Sequence, residues 1–118
     1  MSESPRRVCQ IVKLKPEALA EYKKIHDEIW PEVVEATKAA NMGDYSIFLD
    51  ERDHTLIGTF KYFGKDFEGD MAKSRENPNL QKWWKITDGM QQTLVEGSTG
   101  STDEKGWWVP LPELFRLE

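Results

Sequence analysis

Residues 45–50, YSIFLD, alternate in a strict period of two: Tyr45, Ile47 and Leu49 on one face, Ser46, Phe48 and Asp50 on the other. That period belongs to a strand with one buried face. ERDH at 51–54 has the composition of a turn. TLIGTFKYF at 55–63 is β-branched and aromatic, so it reads as a second strand. Two such runs joined by four residues predict a hairpin, and a hairpin in mid-chain commits the sheet to antiparallel pairing. Whatever flanks it must then pack on that sheet.

The flanks carry helix signals. RVCQIVKL at 7–14 is an apolar, β-branched strand candidate. After it, Pro16 stands near a helix start and Glu17 in the first turn, where a negative charge suits the helix dipole. Leu19, Tyr22, His26 and Ile29 follow at helical spacing. Pro31 cannot sit in a helix interior and disfavours helical geometry at Trp30, so a break is expected over 27–30 with Pro31 opening a second helix. That helix should end near Asn41 and Gly43. Another helical stretch is expected over about 66–74. A last helix should start at Asn77 as N-cap, with Pro78 as its first residue. EGSTGSTDEKG at 96–106 has the composition of a flexible loop. The prolines of WWVPLPELFRLE exclude a central strand over 109–112, while ELFRL at 113–117 is expected to pair at a sheet edge.

The order is β-α-β-β-α-β in a single domain of 118 residues, with residues 1–6 expected to fray. It predicts an α+β, ferredoxin-like fold: an antiparallel sheet with helices on one face. The uncovered face would leave apolar strand residues in water. A homodimer, as in dimeric α/β-barrel assemblies, would cover it.

Charge narrows the partners. The formal net charge is -5, and only Arg6-Arg7 and Lys23-Lys24 are adjacent basic pairs. Nucleic acids and anionic membranes both select clustered positive charge, so neither is an expected partner. The lone Cys9 cannot form an intrachain disulfide, no signal-like or membrane-length apolar run is present, and a cytoplasmic location is expected.

No HExxH, CxxC, phosphate-binding glycine loop or G-x-S-x-G elbow occurs. His26, Asp27 and Glu28 are adjacent and point in different directions on a helix, which makes a poor metal set. Cys9 reads as a small apolar strand residue. What stands out is aromatic. Tyr22 and His26 are four apart, on one helix face. Trp83 and Trp84 diverge by about 100° on a helix, so one can enter a core while the other lines a cleft. On pattern alone, packing is the leading reading of both sets. If they form a site, it offers a group that titrates near neutral pH, a phenol and apolar walls. That inventory suits proton transfers on a neutral, polyhydroxylated ligand, which is a sugar.

YKKIHDEIWPEV at 22–33, DYSIFLD at 44–50, QKWWKITDGM at 81–90 and PELFRL at 112–117 resemble the L-rhamnose mutarotase family. The resemblance runs from about Arg7 to Leu117, and its most specific part is H-x-x-I-W-P-E followed at distance by W-W-K. It implies a small dimeric α/β enzyme that interconverts the α and β anomers of L-rhamnose without a cofactor. It implies His26 as proton donor, with Tyr22, Tyr45, Trp83 and Trp84 contacting the sugar. His54 matches no family position.

SRENPNL at 74–80 is longer than the family's usual connection, and the 96–106 loop with Trp107-Trp108 is variable ground. Such loops shape ligand specificity. These departures bear on which 6-deoxy sugar is preferred. A cofactor-free monooxygenase or cyclase of the dimeric α/β-barrel type, and a non-catalytic sugar-binding module, share the same strand order and remain as alternatives.

Overall fold

A computed structural model describes residues 5–118. The frayed start expected over 1–6 falls outside the described residues at 1–4, and Arg6 is already paired with Tyr62.

The chain begins with strand β1 (Arg6–Leu14), a turn of 3-10 helix (Pro16–Ala18) and helix α1 (Leu19–Asp27). Trp30 is extended at φ -67 and ψ 134, and Pro31 opens α2 (Pro31–Ala39) at its first turn. The break therefore lies where the proline chemistry places it. Asn41 takes the left-handed conformation at φ 64, the cap geometry that asparagine tolerates, and turns the chain into β2 (Met42–Asp50). β2 starts three residues before the alternating run, because a bulge between Gly43 and Ser46 interrupts the register. β3 (Thr55–Tyr62) completes the hairpin.

α3 (Phe67–Arg75) is capped by Asp66, whose Oδ1 accepts from the Gly69 N–H at 3.0 Å. The Tyr62 hydroxyl donates to Asp70, and Asn41 donates to the same carboxylate at 2.9 Å. These bonds hold α3 against the ends of α2 and β3 and keep the Asp70 carboxyl below the usual carboxylate range. Asn77 caps α4 (Pro78–Met90) by accepting from Asn79 and Leu80 N–H groups at 2.9 and 3.1 Å.

The sheet order is β2-β3-β1-β4, antiparallel throughout, with β4 (Gln91–Gln92) leaving α4 directly and β5 (Val109–Pro110) pairing on the same edge of β1. The last strand was expected at ELFRL, 113–117; that run forms no strand. β5 and β4 already occupy the β1 edge at Gln10, Ile11, Lys13 and Leu14, and the chain leaves it after the Leu111 N–H donates to Cys9 at 2.8 Å. Leu114, Phe115 and Leu117 are left more than three-quarters exposed.

The two sheet faces differ. Leu56, Gly58, Phe60 and Tyr62 of β3 are buried on the face shared with Val12 and Leu14. Tyr22 of α1 packs into that cluster, which Leu19, Ile47, Leu49, Met90, Trp107 and Trp108 surround. A second cluster of Val33, Leu80 and Trp83 joins α2 to α4. Each fully buried aliphatic side chain here contributes roughly 1.5–3 kcal/mol. The other face presents half-buried Cys9, Ile11 and Ile57 beside Phe48, which is 59% exposed.

Candidate active site

Between the inner sheet face and the helices lies a cavity of about 980 Å³. All five residues singled out by sequence line it: Tyr22 and His26 from α1, Tyr45 from β2, and Trp83 and Trp84 from α4. The structure brings them together from three elements that the fold places around one opening.

α1 sets the centre. Four residues of helix put His26 one turn after Tyr22, with ring centroids 4.4 Å apart and planes tilted by 35°. His26 Nδ1 lies 2.7 Å from the Tyr22 carbonyl oxygen. A carbonyl only accepts, so Nδ1 carries the hydrogen and Nε2 is the nitrogen free to exchange a proton with a ligand. Trp83 meets the imidazole edge-on at 5.3 Å and Trp30 stands behind Trp83 in the same arrangement at 5.2 Å. This aromatic column fixes the imidazole by contact with rings that themselves sit in the α2–α4 core.

The two α4 tryptophans do not divide cleanly between core and cleft. Trp83 is 5% exposed and belongs to the core cluster, yet it also reaches the cavity beside His26; Trp84 is half-buried, packs against the same cluster and lines the cavity too. Tyr45 stacks on Phe60 at 5.1 Å with planes 13° apart, which holds its ring against the inner sheet face.

Sequence reasoning missed Gln91 and left Trp107 and Trp108 without a role. Gln91 is buried at the α4–β4 junction, its Nε2 3.0 Å from the Tyr22 hydroxyl and its Oε1 2.8 Å from the Trp107 indole N–H. Trp108 lies over Gly58, where a Cβ would come within 3.2 Å of its ring. Glycine at 58 is thus what lets an indole lie on the strand. A polar residue just past a helix end is the only local sign of Gln91, and nothing local ties it to an indole sixteen residues on.

Burial holds the Tyr22 phenol well above the ordinary tyrosine range; the Gln91 donor opposes that shift, and Tyr45 and Asp88 reinforce it. Tyr22 therefore keeps its proton at any physiological pH. Asp88 on α4 is raised by desolvation, which the Ser101 hydroxyl and N–H counter with bonds of 2.5 and 2.8 Å. The 96–106 segment is anchored on α4 by those two bonds. Among the described residues no cluster of three or more His, Cys, Asp or Glu is placed to hold a metal. Cys9 is on the opposite sheet face from the cavity, as the register requires. His54 is in the β2–β3 turn at φ 56, a structural position whose carbonyl accepts from Leu14. Among the described residues no helix is long and apolar enough to cross a membrane.

The arrangement offers one imidazole, one phenol that stays protonated, and walls of indole and aliphatic groups. It can bind a small ring with alternating hydroxyl and C–H faces and move protons at its oxygens. Known proteins point the same way. The family model for L-rhamnose mutarotase matches residues 7–117. An L-rhamnose mutarotase of Mesorhizobium japonicum is 37% identical over 113 residues, covering 96% of this chain and 98% of that protein. One from Listeria monocytogenes serotype 4b is 46% identical over 99 residues, covering 84% and 92%. The crystal structure of an L-rhamnose mutarotase from Formosa agariphila superposes with a TM-score of 0.73 at 30% identity, covering 96% and 99% of the two chains. A match over nearly the full length, in sequence and in fold, places this chain in the L-rhamnose mutarotase family.

Proposed function

We propose that the protein is an L-rhamnose mutarotase, an isomerase that interconverts the α and β anomers of a 6-deoxy sugar. The observation that carries this reading is His26, held between Tyr22 and Trp83 in the cavity of a chain with full-length similarity to that family.

Mutarotation requires only proton transfers and a rotation. His26, protonated, gives the proton on Nε2 to the ring oxygen as the C1–O5 bond breaks. The O1 proton leaves to water, and C1 becomes an aldehyde. Rotation about C1–C2 presents the other carbonyl face, and the same steps run backward to close the ring. Nothing in this sequence of events calls for a metal or redox cofactor. Acid–base assistance of this kind is worth roughly 10²–10⁴-fold. That suffices for a reaction that already proceeds in water.

Tyr22, Tyr45, Trp83 and Trp84 serve as sugar contacts. The indole walls take the C–H faces and the 6-methyl group, where a 6-hydroxyl would lose its water without a partner. The half-apolar outer sheet face, with Phe48 exposed, supports a homodimer through that face, and the strand order supports a ferredoxin-like protomer of a dimeric α/β-barrel assembly. A cytoplasmic location fits the composition.

Saturation transfer between the anomeric protons, with and without protein, tests the reading across L-rhamnose, L-fucose and L-mannose, the 6-hydroxy counterpart of L-rhamnose. Acceleration for L-rhamnose that exceeds that for L-mannose is the expected result. Sugar binding with no acceleration for any of the three would leave a binding module instead.

A further inference from the structure

The Trp107–Gln91–Tyr22 chain has only one consistent polarity. An indole N–H can only donate, so the Gln91 atom 2.8 Å from it is the carbonyl oxygen. The amide NH₂ is then the end that faces the Tyr22 hydroxyl at 3.0 Å, and an NH₂ can only donate as well. The Tyr22 oxygen therefore accepts, and its own O–H hydrogen must go elsewhere. On one side of Tyr22 are Val12, Leu14 and Leu56, which offer no acceptor; on the other is the cavity. Gln91 and Tyr22 are 4% and 5% exposed, so the bond between them is shielded from bulk water.

We propose that Gln91 and Trp107 are positioning residues: they lock the Tyr22 hydroxyl as a hydrogen-bond donor to the sugar, so that Tyr22 gives a hydrogen bond to a sugar oxygen and cannot draw a proton from one. The inference rests on the mutarotase reading for the identity of the ligand. It assigns Tyr22 one of the two roles a phenol could take, and leaves the O1 proton to water. Burial, which keeps the phenol protonated, works in the same direction.

It also gives the 96–106 segment a purpose. The loop is fastened at Ser101 to Asp88 on α4, and Thr93 Oγ1 donates to the Trp107 carbonyl at 2.5 Å. Those anchors bring Trp107 back to Gln91, which left α4 sixteen residues earlier. A Gly- and Ser-rich stretch can make that return because it imposes little geometry of its own.

The test is a double-mutant cycle against Tyr22→Phe, read in L-rhamnose anomer exchange (kcat and KM separately) and in L-rhamnose affinity by calorimetry. Gln91→Glu keeps the size but has no donor: one oxygen takes the Trp107 N–H, and the other takes the Tyr22 proton and reverses its polarity. It should lose about tenfold in kcat/KM, the scale of one buried hydrogen bond. Gln91→Leu should lose a similar amount. Trp107→Phe, which frees the amide to turn over, should lose less. In the Tyr22→Phe background each of the three should cost no more than about twofold, because the hydroxyl they orient is gone. If the buried carboxylate prevents Gln91→Glu from folding, Gln91→Leu and Trp107→Phe carry the cycle.

Losses that multiply in full with that of Tyr22→Phe would show a merely structural role and overturn the proposal, as would wild-type kinetics in a folded Gln91→Glu protein. Failure of the mutarotase reading is seen separately, as wild-type protein that does not speed L-rhamnose exchange. The affinity cycle then decides the Gln91 question by itself, and absence of both exchange and affinity overturns both.

Discussion

The protein has two adjacent tryptophan pairs, and they are built on opposite principles. Trp83 and Trp84 sit on α4, where neighbouring side chains diverge by about 100°, so both can face inward at different angles. Trp83 joins the Val33–Leu80 core and still touches His26; Trp84 packs beside it. Trp107 and Trp108 precede β5 in non-helical chain and are placed by tertiary bonds instead: an indole N–H on Gln91, and a ring over the bare backbone of Gly58. The first pair is held by helix geometry and core packing, the second by a loop that must first fold back. A rigid wall and a returned loop thus meet at the same cavity. Damage to the first should cost stability as well as the site, and damage to the second should cost less stability.

Trp83→Ala should produce the largest loss. It empties a nearly fully buried indole site and removes the ring that supports His26, so about 3–5 kcal/mol of stability is expected. Trp84→Ala, at a half-buried position, should cost clearly less. Urea unfolding of both variants measures the difference, and equal losses would show that half-buried Trp84 is as core-like as Trp83.

Gly58→Ala probes the other pair at its base. The new Cβ would lie 3.2 Å from the Trp108 ring, close enough to displace it by a few tenths of an ångström. A loss on the order of 1 kcal/mol is expected, with a change in tryptophan emission. A full-strength effect like that of Trp83→Ala would mean that the second pair is as core-like as the first.

The smallest effect is expected at Asp88→Asn, where the loop is fastened. Desolvation raises the Asp88 carboxyl above its ordinary value in the folded state. The folded protein thus holds that proton more tightly than the unfolded chain does. The associated stability is present below the unfolded carboxyl value and is lost as pH rises through the folded one. An asparagine can still accept from the Ser101 N–H and donate to its hydroxyl. The variant should therefore match or slightly exceed wild type near neutral pH, and its advantage should vanish on acidification. Unfolding midpoints across the acid range check this, and a variant that weakens steadily at neutral pH would show that Ser101 needs the charge.

The same contrast explains what could be read from the chain alone. Pro31, Asn77 and Pro78 mark helix ends by local sterics and capping, and the structure follows them. The 45–50 alternation gives the inner and outer faces of β2, but Tyr45 as a cavity residue came only from the family resemblance. Tyr22 and His26 were legible because four residues of helix always place two side chains on one face. Gln91, Trp107 and Trp108 were not, because their relation exists only after the loop closes. The edge strand expected at ELFRL failed for a related reason: its apolar residues suit a strand, but the available edge of β1 is taken by β4 and β5, which local composition does not reveal.

The central claim is that the Nε2 nitrogen of His26 moves the proton that opens the ring. The most direct measurement is the rate of anomer exchange of L-rhamnose in His26→Ala, followed by saturation transfer, alongside circular dichroism to verify the fold. His26 is half-buried at the cavity wall, so its removal leaves no deep core void. The account requires a folded protein whose enzyme-dependent exchange falls by roughly 10²-fold or more. A folded His26→Ala protein with near wild-type exchange would contradict it and return His26 to a packing role beside Trp83.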